Sequence, residues 1–283
     1  MIQSMTGYGK SVIQLPSKKI TIEIKSLNSK NLDLNTRIPA VYREKEVSIR
    51  RKLAKELVRG KVDLSFFIEA TAEETTTKIN KAVVSQYIEQ LNELHSNSDV
   101  LSVAMRLPDV LKTEREELDE KEWQEIDQSI DEAIELLQLF RKDEGKVLKD
   151  DFILRIDAIK NDLEAVILLD KDRLKAVRDR LQSAIAELSV TVDENRFEQE
   201  MIYYLEKLDI TEEKVRLDNH LKYFLEALDS DDSNGKKLGF ISQEIGREIN
   251  TIGSKANFAP MQKMVVQMKD ELEKIKEQLL NVL

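Results

Sequence analysis

Phe152–Leu188 reads FILRIDAIKNDLEAVILLDKDRLKAVRDRLQSAIAEL, and this stretch decides the fold. It contains neither Gly nor Pro, and its apolar residues recur at intervals of three and four. They are Phe152, Ile156, Ile159, Leu163 and Val166, followed by Leu174, Val177, Leu181, Ile185 and Leu188. Such spacing lines one face of a helix. It predicts one or two long helices that pack as an antiparallel hairpin or a coiled coil.

Helical patterns continue on both sides of this stretch. Between Lys61 and Asn234 the chain has a single Pro and a single Gly, and Ile79–His95 is predicted to be a helix. Near the C-terminus the apolar residues again alternate at three and four, at Val265, Met268, Leu272, Ile275, Leu279 and Val282. This seam indicates a coiled coil, packed either within the chain or between chains.

Toward the N-terminus the apolar period changes to two. Strands are predicted at residues 2–15, 19–27, 31–38 and 62–68. Between the last two, Val41–Val58 is predicted to be a helix with Val47, Ala54 and Val58 on one face, and Gly60 to follow its end. The predicted fold class is therefore α+β and predominantly α-helical. A small N-terminal β-β-β-α-β unit precedes long helices that include coiled-coil-like hairpins.

Three segments follow from these patterns. Residues 1–75 are predicted to form a basic α/β N-terminal domain, and residues 76–190 a helical middle region with long antiparallel helices. Residues 191–283 are predicted to form a C-terminal helical domain that carries the candidate catalytic motifs.

Composition excludes several classes of protein. Of 283 residues, 41% are hydrophobic and 35% charged, with 8 Gly, 4 Pro and no Cys, which rules out a disordered chain and any disulfide, thiolate-zinc or thiol-nucleophile site. Apolar runs do not exceed four or five residues, so no membrane span and no membrane partner are expected. The opening MIQSMTGYGKSVIQ lacks the pattern of a signal peptide, which predicts a cytoplasmic protein.

Charge is distributed unevenly along the chain. Residues 1–69 hold 14 Lys and Arg against 7 Asp and Glu, although the whole chain has a net charge of −10. Such asymmetry is typical of a local polyanion-binding surface, and an uneven solvated surface is the alternative. Arg37, Arg59 and Lys61 are candidates to neutralise phosphates, as are the cations of the predicted helix. The aromatic residues that could stack on bases are Tyr8, Tyr42, Phe66 and Phe67.

Most catalytic templates are absent. The chain has no GxGxxG, GxxxxGK[ST], GxSxG or HExxH motif, and its two histidines, His95 and His220, are too few for a His-rich metal site. His220 differs from His95, a predicted surface or capping residue, because it ends the charged motif EKLDITEEKVRLDNH, which begins at Glu206.

Two helical motifs carry the candidate chemistry. In the first, Glu213, Arg216 and His220 share one helix face, with Glu212 at its edge. In the second, LGFISQEIGREINTIGSKAN (Leu238–Asn257), Glu244 and Glu248 are one turn apart with Arg247 between them. Carboxylates and an imidazole in this arrangement suit Mg²⁺ or Mn²⁺, and ordinary ion pairs on a helix surface are the alternative.

Six motifs together resemble one family. Besides the two just described they are SMTGYG (Ser4–Gly9), SLNSKNLD (Ser26–Asp33), RGKV (Arg59–Val62) and FRKDEGKVLKDD (Phe140–Asp151). Their order and spacing resemble the YicC/YloC family over essentially the whole chain. The resemblance implies a bacterial cytoplasmic endoribonuclease, linked to the stress response, that depends on a divalent metal and acts on single-stranded RNA. It also implies a homo-oligomer, specifically a hexamer with a central channel.

The same resemblance assigns roles to residues that match its motifs. The implied catalytic residues are Glu212, Glu213, His220, Glu244 and Glu248. The implied RNA-binding residues are Asn28, Arg37, Arg59, Lys61, Arg216, Arg247 and Lys255. The implied ligands of the Mn²⁺ or Mg²⁺ ion are Glu213, His220, Glu244 and Glu248.

Three functions remain as alternatives on the sequence. The first is an endoribonuclease, in which a cation activates water or orients a ribose 2′-hydroxyl while Arg and Lys hold the backbone. The second is a non-catalytic RNA-binding scaffold or adaptor that regulates turnover by other nucleases. The third is a structural coiled-coil oligomer.

Overall fold

The chain is predominantly helical, with a small N-terminal sheet. This computed structural model describes residues 2–16, 18–70, 77–94, 99–113, 119–187, 194–230 and 235–283. The strands are β1 (Gly7–Gln14), β2 (Lys18–Leu27), β3 (Leu32–Arg37), β4 (Gly60–Ala70), β5 (Thr77–Ile79) and β6 (Leu111–Thr113). The helices are α1 (Glu46–Glu56), α2 (Lys81–Leu94), α3 (Val100–Ala104), α4 (Glu120–Glu187), α5 (Glu194–Lys207), α6 (Thr211–Asp229), α7 (Gly235–Lys255) and α8 (Ala259–Leu279). The predicted fold class is confirmed.

The structure divides into two compact units. The sheet unit comprises Tyr8–Ser26 and Asn31–Leu137, and the helical unit comprises Met1–Gly7, Leu27–Lys30 and Gln138–Leu283. The boundaries predicted at 75/76 and 190/191 lie outside the described residues, as does His95. The division into three segments therefore stays a prediction.

In the sheet unit, four strands lie in the order β1-β2-β4-β3. A hairpin joins β1 to β2, and α1 connects β3 to its parallel neighbour β4, with Leu32 opposite Gly60 and Arg37 opposite Ser65. The predicted β-β-β-α-β order is confirmed. Alternate residues of β2 and β4 are buried against α1 and the start of α4, which contributes Trp123. The buried strand residues include Ile20, Ile22, Ile24, Val62, Leu64 and Phe66.

The buried face of α1 differs from the predicted one. Val47 and Val58 are 59% and 74% exposed, and the core side is formed by Ile49, Leu53 and Leu57. A 3₁₀ turn at Ala40–Lys45 precedes α1, so the α-helix starts later than predicted and Val58 lies beyond its end. A helix face made of Ile49, Leu53 and Leu57 buries more apolar surface than one made of Val47, Ala54 and Val58. Gly60 has φ 126°, a conformation that favours glycine, which explains its place at the start of β4.

The quoted stretch as far as Glu187 lies in a single continuous helix, α4, of 68 residues, and Leu188 lies outside the described residues. The face of this helix is buried from Phe152 to Val166 against α6, α7 and α8, whereas Leu174, Leu181 and Ile185 are only partly buried. The C-terminal seam belongs to the same core, because all six of its residues are buried within the chain. No helix among the described residues is long and apolar enough to cross a membrane.

Both ends of the chain meet in the helical unit. Ser4 and Val282 form an isolated antiparallel bridge, the Met5 N–H donates to the Asn281 carbonyl at 2.7 Å, and the Leu283 N–H donates to the Gln3 carbonyl at 2.9 Å. The prediction that β1 begins at residue 2 is therefore wrong. The first residues pair with the C-terminus, which a local alternation pattern does not reveal, and β1 begins at Gly7.

Candidate active site

Helices α6 and α7 carry both charged motifs and lie antiparallel. At one end, Nζ of Lys255 lies 2.8 Å from Oε1 of Glu213. At the other end, Nζ of Lys237 lies 4.9 Å from the ring centroid of Tyr223. At a rise of about 1.5 Å per residue, counting from these two contacts places His220 between the levels of Phe240 and Glu248, close to that of Glu244. The fold thus brings the two motifs side by side.

The first turn of α6 is fixed by Asp209. Its carboxylate accepts hydrogen bonds from the Thr211 hydroxyl at 2.7 Å and the Thr211 N–H at 3.2 Å. The Thr211 hydroxyl is the largest cause that lowers the pKa of Asp209, and the positive charge of Lys214 also lowers it. Glu212 and Glu213 follow in the first turn, where carboxylates interact favourably with the helix dipole.

Glu213 is held in an ion pair inside the protein. Only 6% of the residue is exposed, and its partner Lys255 also donates to the Asp209 carbonyl at 2.8 Å. The second carboxylate oxygen of Glu213 is buried and has no hydrogen-bond partner in the part of the chain that the structure describes. Lys255, predicted to bind RNA, therefore ties the end of α7 to the start of α6.

A buried arginine supports the same corner, and sequence reasoning missed it. Arg173 is 1% exposed, and its guanidinium donates to Asp170 at 2.8 Å and to the Leu208 carbonyl at 2.9 Å. Lys214 of α6 contacts the other oxygen of Asp170 at 2.6 Å. The sequence did contain a signal for Arg173. It lies between Val166 and Val177 at a position that the helical spacing places on the buried face.

Glu248 occupies an unusual environment. The residue is 5% exposed, and within the described ranges neither a hydrogen bond nor an ion pair involves its carboxylate. Neither of its oxygens is among the fully buried polar atoms without a partner in the described chain, so the carboxylate tip keeps some contact with solvent. A carboxylate that makes no contact of its own with the protein is open to a ligand or substrate that supplies one. Glu244, one turn earlier, is more exposed and pairs with Arg247 at 3.0 Å.

Two arginines lie at the surface of the helix pair. The side chains of Arg216 and Arg247 are 55% and 71% exposed, and each pairs with a glutamate of its own helix, Glu212 and Glu244 respectively. Exposed ion pairs of this kind contribute little to stability, about 0–1 kcal/mol. Both guanidiniums are thus free to exchange a carboxylate for a phosphate group. His220 is half-buried on the same helix as Arg216.

The predicted metal ligands do not form a complete site in one chain. Among the residues that the structure describes, no three His, Asp or Glu side chains come together in a way that could hold a metal ion. Glu213 is also neutralised by Lys255. Residues Glu213, His220, Glu244 and Glu248 therefore do not fit a four-ligand cation site within one chain.

The predicted RNA-binding residues near the N-terminus fall in both units. In the sheet unit, Arg37 ends β3 and is exposed, Lys61 is exposed opposite Asp33, and Arg59 is partly buried. In the helical unit, the Asn28 amide donates to the Leu280 carbonyl at 2.5 Å, so that this amide secures the C-terminal end.

The candidate stacking residues divide by burial. Tyr8 and Phe67 are 39% and 51% exposed, whereas Tyr42 and Phe66 are buried and unavailable to a base. Burial, followed by the hydrogen bond to Glu122, raises the pKa of Tyr42 to about 12. Tyr42 therefore belongs to the core of the sheet unit.

Comparison with known proteins covers almost the whole chain. A family model described as "Endoribonuclease YicC-like, N-terminal region" matches residues 2–150, and one described as "Endoribonuclease YicC-like, C-terminal" matches residues 167–283. A protein named "Probable endoribonuclease YicC" from Clostridioides difficile (strain 630) is 34% identical over 293 residues. A protein of the same name from Haemophilus influenzae (strain ATCC 51907 / DSM 11121 / KW20 / Rd) is 29% identical over 287 residues. Both alignments cover 100% of each chain.

Proposed function

The chain belongs to the YicC-like endoribonuclease family, and from this premise we propose that it cleaves single-stranded RNA at internal phosphodiester bonds, with a divalent cation and as a homo-oligomer. We place the cleavage on the α6–α7 pair. The observation that carries this placement is Glu248, a carboxylate that is 5% exposed and has no partner within the described residues.

Other side chains of the α6–α7 pair could supply the functions that cleavage needs. Arg216 and Arg247 are exposed guanidiniums that can hold a phosphodiester and stabilise the charge that develops on its oxygens. His220 can accept a proton from the attacking oxygen, since a ring nitrogen of an imidazole can act as a general base. Attack by water leaves a 5′-phosphate and a 3′-hydroxyl. Attack by the ribose 2′-hydroxyl leaves a 2′,3′-cyclic phosphate and a 5′-hydroxyl.

We propose a cation site with fewer protein ligands than the four predicted from the sequence. Mg²⁺ in nucleotide enzymes is commonly bound by one or two carboxylates, with water and substrate phosphates completing its shell. Glu244 and Glu248, one turn apart on α7, match that pattern better than the four-ligand set does. A bound cation would supply charge stabilisation at the phosphate. No step of the proposal is routed through it, because a complete site is absent from the described residues of one chain.

RNA binding by the sheet unit is supported by its surface. Lys61 and Arg37 are exposed at opposite ends of the neighbouring strands β3 and β4, and cations of this kind bind RNA phosphates regardless of sequence. The exposed ring of Phe67 offers a π-face to an unpaired base, whereas Nζ of Lys25 lies 5.6 Å from the centroid of the exposed Tyr8 ring. Stacking requires splayed bases, which favours single-stranded over duplex RNA.

Homo-oligomerisation is supported by an exposed stripe on α4. Phe140, Val147, Leu154 and Leu168 are 47%, 68%, 67% and 78% exposed and follow one another at intervals of seven or fourteen residues. Apolar side chains at this spacing lie along one face of a helix and are typical of a surface that another helix covers. The C-terminal seam gives no such argument, because it packs inside the chain.

We expect light scattering to show an oligomer, with a hexamer as the proposed size. Replacing Val147 and Leu154 together by Glu should shift the protein toward smaller species, because it puts charges into the apolar stripe. Lys160→Glu is the matched control, since Lys160 is exposed on the same helix outside the stripe. A monodisperse wild-type monomer at micromolar concentration would contradict the oligomer.

The proposed activity is tested with one RNA sequence in two forms. We expect the purified chain to cut a single-stranded oligonucleotide in the presence of Mn²⁺, and to leave the same strand intact within a duplex. A chelator should abolish cutting and preserve much of the binding. Cutting that persists at full rate in the chelator would overturn metal dependence. Binding without cutting in any condition would favour the non-catalytic scaffold.

A further inference from the structure

An open groove lined mainly by polar residues lies between α7 and α8, and Arg247 belongs both to it and to the proposed cleavage site. Its volume is about 570 Å³. Helix α7 contributes Gln243, Arg247, Asn250, Thr251 and Ser254, which follow one another along one exposed face of that helix, and α8 contributes Lys276. Of these residues, only Arg247 has a role in the proposed cleavage.

The floor of the groove depends on a glycine. Gly246 is buried, and a Cβ atom at this position would lie 3.1 Å from Cδ2 of Leu272 and 3.7 Å from Nζ of Lys276. The missing side chain leaves room for Leu272, and the Lys276 ammonium group lies within van der Waals distance of the same position. This brings a cation from α8 next to Arg247, which follows Gly246 on α7.

The charge of the groove is opposite to that of the chain. The sequence contains 54 Asp and Glu, yet none of them lines the groove among the described residues. Arg247 and Lys276 do have carboxylate partners, Glu244 at 3.0 Å and Glu273 at 2.7 Å, each on the same helix and outside the lining. These are surface pairs that cost little to exchange for a stronger anion.

The neutral residues of the groove suit an RNA backbone as well. The Thr251 and Ser254 hydroxyls donate to carbonyls of α7 at 3.0 and 2.9 Å, which leaves their oxygens as acceptors. Gln243 and Asn250 add amides that can both donate and accept. A ribose hydroxyl or a base edge next to a bound phosphate would therefore meet compatible groups on α7.

We propose that this groove binds a backbone phosphate of the RNA, held between the Arg247 guanidinium and the Lys276 ammonium group. The proposal rests on the proposed function, and it adds a binding position between α7, which carries Glu248, and α8. Lys276 is the new residue in it. Its role is to bind a neighbouring phosphate and so fix the strand on α7, because an ammonium group acts as a compact point charge toward phosphate.

The test compares two lysines of α8. Lys276→Gln and Lys274→Gln each remove one charge and one ion pair with a glutamate three residues earlier, but Lys274 does not line the groove. Both are made in the Glu248→Gln chain so that the RNA stays intact.

We expect Lys276→Gln to weaken binding of a single-stranded RNA oligonucleotide about five- to tenfold. We also expect it to reduce the slope of log K against log salt by about 0.7, the value for one lost phosphate contact on a single strand. Lys274→Gln should change the affinity less than twofold.

Equal effects of the two substitutions would overturn the groove as a phosphate site. Titration with inorganic phosphate forms a second arm. Binding of free phosphate that Lys276→Gln abolishes, together with unchanged RNA affinity, would assign the groove to a small anion and overturn the RNA assignment. The two proposals fail separately. If the wild-type chain cuts RNA and Lys276→Gln binds RNA normally, only the groove is refuted. If the wild-type chain does not cut RNA but Lys276→Gln weakens RNA binding, only cleavage is refuted.

Discussion

Replacing Glu248 by Gln is expected to slow RNA cleavage about a hundredfold or more while the melting temperature stays unchanged or rises slightly. The substitution keeps the size of the side chain and removes its charge. Because Glu248 is 5% exposed and has no ion-pair partner among the described residues, the charge does not stabilise the fold. A hundredfold loss corresponds to about 2.7 kcal/mol of transition-state stabilisation, within the range of a single catalytic group. Cleavage rate and thermal unfolding of the same preparations measure both effects.

Two further variants make this result specific. Glu277→Gln is the control, because Glu277 is exposed on α8 and should leave both the rate and the melting temperature unchanged. His220→Ala should also lower the rate without loss of assembly, since general acid–base catalysis contributes about 10²–10⁴-fold. If Glu248→Gln and His220→Ala both cleave at the wild-type rate, the α6–α7 pair is not the active site.

Breaking the pair between Glu213 and Lys255 is expected to act on stability. Lys255→Ala leaves a carboxylate in a site where the Glu213 side chain is only 9% exposed, and an isolated buried charge is strongly unfavourable. We expect a loss of about 2 kcal/mol in the free energy of unfolding, reduced from the fully buried case because the Lys255 side chain is 32% exposed. The melting temperature should fall by about 4–8 °C.

The two partners of this pair should not be equivalent. Glu213→Gln leaves Lys255 partly in water and bound to the Asp209 carbonyl, so it should cost less than Lys255→Ala. Lys222→Ala removes one partner of an exposed pair with Asp218 on α6 and should change stability by less than about 0.5 kcal/mol. A Glu213→Gln chain that melts normally but has lost cleavage would contradict the structural role and restore Glu213 as a functional ligand.

Local periodicity predicted most of the fold. The three-and-four spacing identified α4 and the C-terminal seam, and the alternation of Ile20, Ile22 and Ile24 identified β2. Both patterns follow from the geometry of a single element, which depends on near neighbours in the sequence. The face of α1 was predicted wrongly, because Val47 and Ile49 both start a helical spacing and only tertiary packing selects between them.

Contacts between residues that are far apart in the sequence could not be predicted, and the candidate site depends on such contacts. The motifs located α6 and α7, and the structure gives Glu248 no hydrogen-bond or ion-pair partner among the described residues. The partner of Glu213 is 42 residues away, so its ion pair with Lys255 has no local signature. For the same reason the sequence did not distinguish a seam packed within the chain from one packed between chains, nor did it place Asn28 at the Leu280 carbonyl, 252 residues away. Lys276 was missed because it enters the groove from another helix.

A circular single-stranded RNA provides the most direct test of internal cleavage, because it has no end from which an exonuclease can start. Incubated with the wild-type chain and Mn²⁺, the circle should first become a linear strand of full length and then shorter fragments. The Glu248→Gln chain, purified in the same way, should leave the circle closed, which excludes a contaminating nuclease. A circle that the wild-type chain binds but never opens would contradict the account and leave an RNA-binding scaffold in its place.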